Sequence, residues 1–95
     1  MASYIIEIRP AFRRELKKLP PPIQAEVIEI LEMLQDVPFP TGFRKVEGNR
    51  GTLYRIRIAK YYRLIYAVDE EKLIILAVRV GPRKEVYRQI HQIQI

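Results

Sequence analysis

Two hydrophobic periods divide this sequence, and the place where one gives way to the other restricts what it can fold into. In Phe12, Leu16 and Leu19, and again in Ile23, Val27, Ile30, Leu31 and Leu34, apolar residues recur every three or four positions, the spacing of one helix face. From Leu53 onward they alternate. Leu53 to Ile58, Tyr62 to Val68 and Leu73 to Val80 read as strands, with turns at Ala59-Lys60-Tyr61 and Asp69-Glu70-Glu71-Lys72. Helices followed by an antiparallel β-meander define an α+β chain, and the expected arrangement places the helices on one face of the sheet.

Local signals set the boundaries. Tyr4-Ile5-Ile6-Glu7-Ile8 has the β-branched and aromatic content of an N-terminal strand, and Pro10 suits the first turn of the helix after it. Pro20-Pro21-Pro22 ends that helix, because the residue before a proline is pushed out of the helical region. A second helix runs from Pro22 to Gln35 and completes a helical hairpin, which the irregular segment around Pro38, Pro40 and Gly42 closes. Gly81-Pro82 ends the last strand, and a short C-terminal helix follows from Arg83 to about Ile93, with Val86, Ile90 and Ile93 on one side. Residues 1–95 thus read as a single domain, too short for a cofactor-binding domain beside a substrate domain, and no cofactor is expected.

Composition removes several chemistries. Cysteine is absent, which excludes disulfides, thiolate catalysis and cysteine-rich zinc sites and fits a reducing, cytoplasmic setting. His91 is the only histidine, while Glu26, Glu29 and Glu32 recur along one helix face as solvated positions, so no metal site is expected. Charges break every apolar run well short of the roughly 20 residues of a membrane span, and no leader pattern precedes the first strand; a soluble protein away from membranes is expected.

The net charge of +6 is unevenly placed. Residues 1–48 carry seven Lys/Arg and seven Asp/Glu, whereas residues 49–95 carry ten and four, so the whole excess lies in the second half. Confined basicity is the footprint of a polyanion partner, most simply nucleic acid. Strand alternation gives it a face: Arg55 and Arg57 point one way while Tyr54, Ile56 and Ile58 point the other, and Arg63 joins the arginines. In the third strand, Ile74, Leu76, Val78 and Val80 form the apolar set, which turns Arg79 toward the same basic face. Arg44, Lys45, Arg50, Lys60 and Lys84 extend this candidate RNA-binding surface, and residues 44–63 hold seven cations against one acid. Solvent-facing arginines of a one-sided sheet would look similar, although strand solubility usually comes from mixed charges. Arg83, Tyr87 and His91, spaced by four, share one helix stripe, and an aromatic among cations suits stacking of an unpaired base. Single-stranded RNA is therefore preferred to a duplex.

The segments Tyr54-Arg55-Ile56-Arg57, Tyr62-Arg63-Leu64-Ile65-Tyr66 and Val80-Gly81-Pro82-Arg83-Lys84-Glu85-Val86-Tyr87, in this order of elements, resemble the RelE branch of the RelE/ParE toxins over nearly the full chain. The resemblance implies a RelE-like fold and a toxin of a type II toxin–antitoxin pair, held inactive by a cognate antitoxin. It implies an endoribonuclease that enters the 30S A site of the ribosome and cleaves messenger RNA there without a metal. The family's catalytic cations fall on Arg55, Arg57, Arg63 and Arg83 and its functional tyrosine on Tyr87; His91 is a further candidate, since some relatives place a histidine near the C-terminal end of the site. RelE itself carries lysines where Arg55 and Arg57 stand. A guanidinium releases a proton far less readily than a lysine ammonium, so these two suit charge stabilisation better than proton transfer. A ParE-like inhibitor of DNA gyrase and a non-catalytic RNA-binding module are the alternatives.

Overall fold

The computed structural model describes residues 3–46 and 52–90. Its elements run β1 (Ile5–Ile8), α1 (Pro10–Lys17), α2 (Pro21–Asp36), β2 (Arg44–Val46), β3 (Leu53–Ile58), β4 (Tyr62–Asp69), β5 (Ile74–Pro82) and α3 (Arg83–Ile90). The strands form one five-stranded sheet in the order β1-β5-β4-β3-β2. The meander of β3, β4 and β5 is antiparallel as its alternation predicts, while β1 adds to β5 in parallel, with Ile5 opposite Ile74 and Ile8 opposite Ala77.

The proline triplet does more than end a helix. Pro21 and Pro22 occupy the first turn of α2, where a missing amide costs nothing, and the Pro20 carbonyl accepts the amides of Ile23 and Gln24. The Gln24 side chain donates back to the Leu19 carbonyl at 2.7 Å and joins the two helices across the turn. At the 69–72 turn, Asp69 Oδ1 accepts the amides of Glu71 and Lys72, so Leu73, with φ of 57°, belongs to the turn and β5 starts one residue later than its pattern suggests.

Two cores sit on opposite faces of the sheet. Under α1 and α2 lie Phe12, Leu19, Val27, Leu31 and Leu34 against Ile58, Leu64, Tyr66, Ile75, Ala77 and Val80. On the other face Leu53, Ile65 and Val78 receive Val86 of α3. The helices therefore do not share one face, contrary to the sequence expectation: the hairpin covers one side and α3 the other.

A β-bulge overturns a second expectation. In the β4–β5 ladder Ile65 stands opposite Arg79 but Tyr66 opposite Ala77, leaving Val78 as the extra residue. Side-chain parity changes there, so Ile75 and Ala77 lie in the hairpin core before the bulge and Val80 lies there after it, whereas Val78 faces α3. The sequence pattern, read as an unbroken strand, had placed Val78 and Val80 together.

Tyr66 ties the centre of the sheet to the loop after α2. Its ring is fully buried beside Tyr54, and its hydroxyl donates to the Pro38 carbonyl at 2.9 Å. Burial, with the Tyr54 phenol in support, raises its ionisation well above the ordinary phenol range. The folded state therefore keeps this proton where the unfolded chain loses it, so the stability due to Tyr66 is complete below about pH 10 and declines as pH rises further. Tyr66→Phe is expected to cost about 1 kcal/mol in urea unfolding at pH 7. That deficit should shrink as the pH passes about 10, because the variant has no buried phenol to ionise.

Candidate RNA-contacting site

The face that carries α3 also gathers the cations. β3 and β4 pair with Arg57 opposite Arg63, so both arginines project from the same side, as the alternation predicts. β2, a three-residue strand with no legible sequence signal, pairs with β3 and puts Arg44 opposite Arg55 on this side. Its neighbour Lys45 stands opposite Tyr54, whose side chain packs toward the hairpin core, so Lys45 belongs to the other face and not to the basic surface expected of it.

Seating Val86 on Leu53, Ile65 and Val78 fixes α3 beside the arginines. The Arg83 amide donates to the Tyr61 carbonyl at 2.7 Å and joins the start of α3 to the β3–β4 turn. As a result Tyr87 lies within reach of two guanidinium groups, with Arg55 Cζ and Arg83 Cζ each 5.8 Å from its ring centroid. Residues far apart in sequence thus converge on one aromatic ring.

Arg63 is the unusual member. It is 4% exposed, and its Nη1 donates to the carbonyls of Tyr62 at 2.8 Å and Lys60 at 3.3 Å. Its Nε is buried without a hydrogen-bond partner. A buried donor left unpaired is costly, and the guanidinium fork is shaped to hold two oxygens of an anion. Arg63 borders an open groove of about 480 Å³ whose walls include Arg57, Lys60, Tyr61, Arg83 and Lys84. A neighbouring recess of about 380 Å³ shares Arg57 and adds Arg44 and Arg55. No acid lines either recess among the described residues, so their fields add instead of cancelling. A larger recess of about 550 Å³ near the β4–β5 turn is lined by Glu7, Asp69, Glu70 and Glu71 with Lys72, and so carries the opposite sign of charge.

Arg79 departs from its expected part. Glu15 of α1 takes its guanidinium at 3.1 Å, and the other carboxylate oxygen accepts the Val80 amide at 3.2 Å. β1 pairs with β5 only as far as Ala77, and Glu15 serves the strand beyond that point. Arg79 is therefore engaged in closing this edge and not in the basic groove. His91 and Arg50 lie outside the described residues. Sequence reading treated Tyr61 only as part of a turn, yet it is 68% exposed on the groove wall, with Lys60 Nζ 6.0 Å from its ring. An aromatic beside a lysine in a turn that joins two arginine-bearing strands was the available signal.

Among the described residues no cluster of metal-ligating side chains occurs, and no helix is long and apolar enough to cross a membrane.

Comparison with known proteins agrees with this architecture. Residues 6–87 match the family model of the ParE toxin of type II toxin–antitoxin systems. The chain is 33% identical over 87 residues to toxin RelG of Mycobacterium tuberculosis, covering 90% of this chain and 98% of that protein. The archaeal RelE–RelB complex from Pyrococcus horikoshii superposes with a TM-score of 0.74 at 28% identity, covering 85% of this chain and 96% of the matched one. A free-state mutant of the Escherichia coli toxin RelE, at 24% identity, shares the fold with a TM-score of 0.76 over 95% of this chain and 96% of that one.

The geometry makes α3 the hinge of the site. Val86→Ala removes two buried methyl groups from its seat and is expected to cost about 2 kcal/mol in chemical denaturation. The Tyr87 ring resonances should shift toward those of an exposed tyrosine in the same variant while the hairpin core stays intact.

Proposed function

Because the chain belongs to the RelE/ParE superfamily of type II toxin–antitoxin toxins, we propose that it acts as a ribosome-dependent endoribonuclease, cleaving messenger RNA in the A site by attack of a ribose 2′-hydroxyl on the adjacent phosphate. The observation that carries this reading is the buried Arg63 guanidinium at the groove, with an unpaired Nε and with Arg57 opposite it in register. In the proposed step the 2′-oxygen bonds to phosphorus as the bond to the 5′-oxygen breaks. A base takes the 2′-proton and an acid returns one to the leaving 5′-oxygen, giving a 2′,3′-cyclic phosphate and a 5′-hydroxyl.

Arg63 and Arg83 stabilise charge on the five-coordinate phosphorus, and protein cations suffice for this without a metal. Arg55 and Arg57 hold flanking phosphates, with Arg44, Lys60 and Lys84 extending the track. Tyr87, near two guanidinium groups, and His91 are the proton-transfer candidates. Placement by the ribosome supplies the in-line geometry, so a sparse site is sufficient. We further propose a cytoplasmic setting and a cognate antitoxin partner, by analogy with the relative that is solved as a RelE–RelB complex. A basic groove fits an acidic or amphipathic antitoxin segment.

A second reading has one observation in its favour: the matching family model is that of the ParE toxin. As a ParE-like gyrase inhibitor the protein would stabilise gyrase–DNA breaks and leave transcripts intact. Expression with transcript ends mapped in the same cells separates the two. New messenger ends are expected only while ribosomes translate, and growth arrest with unchanged ends would sink the ribonuclease reading. Arg63→Ala is expected to slow cleavage by about 100-fold or more. Arg57→Ala should weaken RNA binding and lower the logarithmic salt slope by about 0.7, the loss of one phosphate contact to a single strand. If Arg83→Ala and Tyr87→Phe both leave cleavage intact, the site assignment fails and a non-catalytic RNA-binding module gains.

A further inference from the structure

The β3–β4 turn is the structural hub of the groove, and it carries the exposed ring of Tyr61. Lys60 and Tyr62 give their carbonyls to the Arg63 guanidinium, and Tyr61 gives its carbonyl to the Arg83 amide. Its backbone is therefore tied to two of the cations around the groove. The turn is tight, with Ala59 at a φ of 51°, so there is little slack in where it presents its side chains. Tyr61 is also the most exposed of the large hydrophobic residues described, at 68%, and the Lys60 ammonium lies 6.0 Å from its ring.

A tyrosine that packed for stability would be buried, as Tyr66 is; this one stands at the groove wall beside phosphate-binding cations. A ring on a fixed backbone loses little freedom on binding, and any nucleobase offers it a π-face on which to stack.

On the reading of the groove as a single-stranded RNA site, we propose that Tyr61 is a base-stacking platform, holding one unpaired nucleobase at the groove wall next to the phosphate held by Arg63 and Arg83. Tyr61 is thus a binding residue that fixes the strand's position along the groove, separate from Tyr87, which lies near Arg55 and Arg83.

The test uses the full chain and single-stranded RNA octamers carrying 2-aminopurine at one position at a time, a base whose fluorescence falls when an aromatic stacks on it. With wild type and with Tyr61→Phe, quenching at one position is expected. Tyr61→Ala should abolish quenching at that position, keep it elsewhere and weaken binding by about 10-fold. An exposed ring contributes little to the core, so the thermal midpoint of Tyr61→Ala should match wild type. Unchanged quenching in Tyr61→Ala would overturn the proposal, as would an equal loss at every position. So would weaker antitoxin capture in Tyr61→Ala with RNA binding intact, since the ring would then serve a protein interface. If wild type binds no octamer at all, the single-strand reading of the groove falls and takes this proposal with it; wild-type binding that Tyr61→Ala leaves untouched defeats the platform alone.

Discussion

One irregular step in one ladder decides which residues meet in this protein. Between Ile65 and Tyr66 of β4, the strand β5 carries an extra residue, and everything beyond it changes face. Before the bulge, Ile75 and Ala77 support the helical hairpin; after it, Gly81 stands opposite Arg63 and α3 leaves on the side of the arginines. An unbulged strand would have continued with the opposite parity and turned Val80 out of the hairpin core to the other face. Glu15 holds the segment just past the bulge with both carboxylate oxygens, taking the Arg79 guanidinium and the Val80 amide where β1 no longer pairs. A carboxylate on α1 thus holds one edge of the strand segment whose other edge pairs with β4 and which leads into α3.

Collecting cations on one face creates repulsion, and the fold meets it with neutral structure. Apolar contact seats α3 through Val86, the Tyr87 ring lies 5.8 Å from both the Arg55 and Arg83 guanidinium carbons, and backbone carbonyls of a tight turn receive Arg63. Among the described residues no carboxylate lines the basic recesses: Glu15 binds at the sheet edge, Glu85 of α3 borders a separate recess with Glu15 and Lys18, and Asp69, Glu70 and Glu71 line a recess near the far turn of the meander. The positive field therefore remains available to an incoming anion. Arg63 shows the cost most directly, since its Nε is buried without a hydrogen-bond partner.

Much of the site was legible because strand alternation is a strong local signal. Arg57 and Arg63 fall on one side by parity alone, and their register confirms it. Arg83 and Tyr87 share a helix stripe by their spacing of four, and both reach the same cluster. Lys45 and Arg79 were misread for different reasons. The face of Lys45 depends on the register of a three-residue strand that exists only because β3 is beside it. Arg79 is claimed by an acid 64 positions away, which no local pattern reveals. Tyr61 was passed over because a turn residue's exposure follows from the strands around it.

The sequence alone determined the class of this protein: periodicity defined the hairpin and the meander, and charge distribution marked a basic half. Those properties depend on neighbours within a few residues, where side-chain geometry repeats. Only the tertiary structure decided that β1 lies parallel to β5, that α3 covers the second face and that Arg55, Arg83 and Tyr87 converge. These are contacts between distant segments, fixed by core packing and by one bulge. Their energy appears only once the chain has closed on itself.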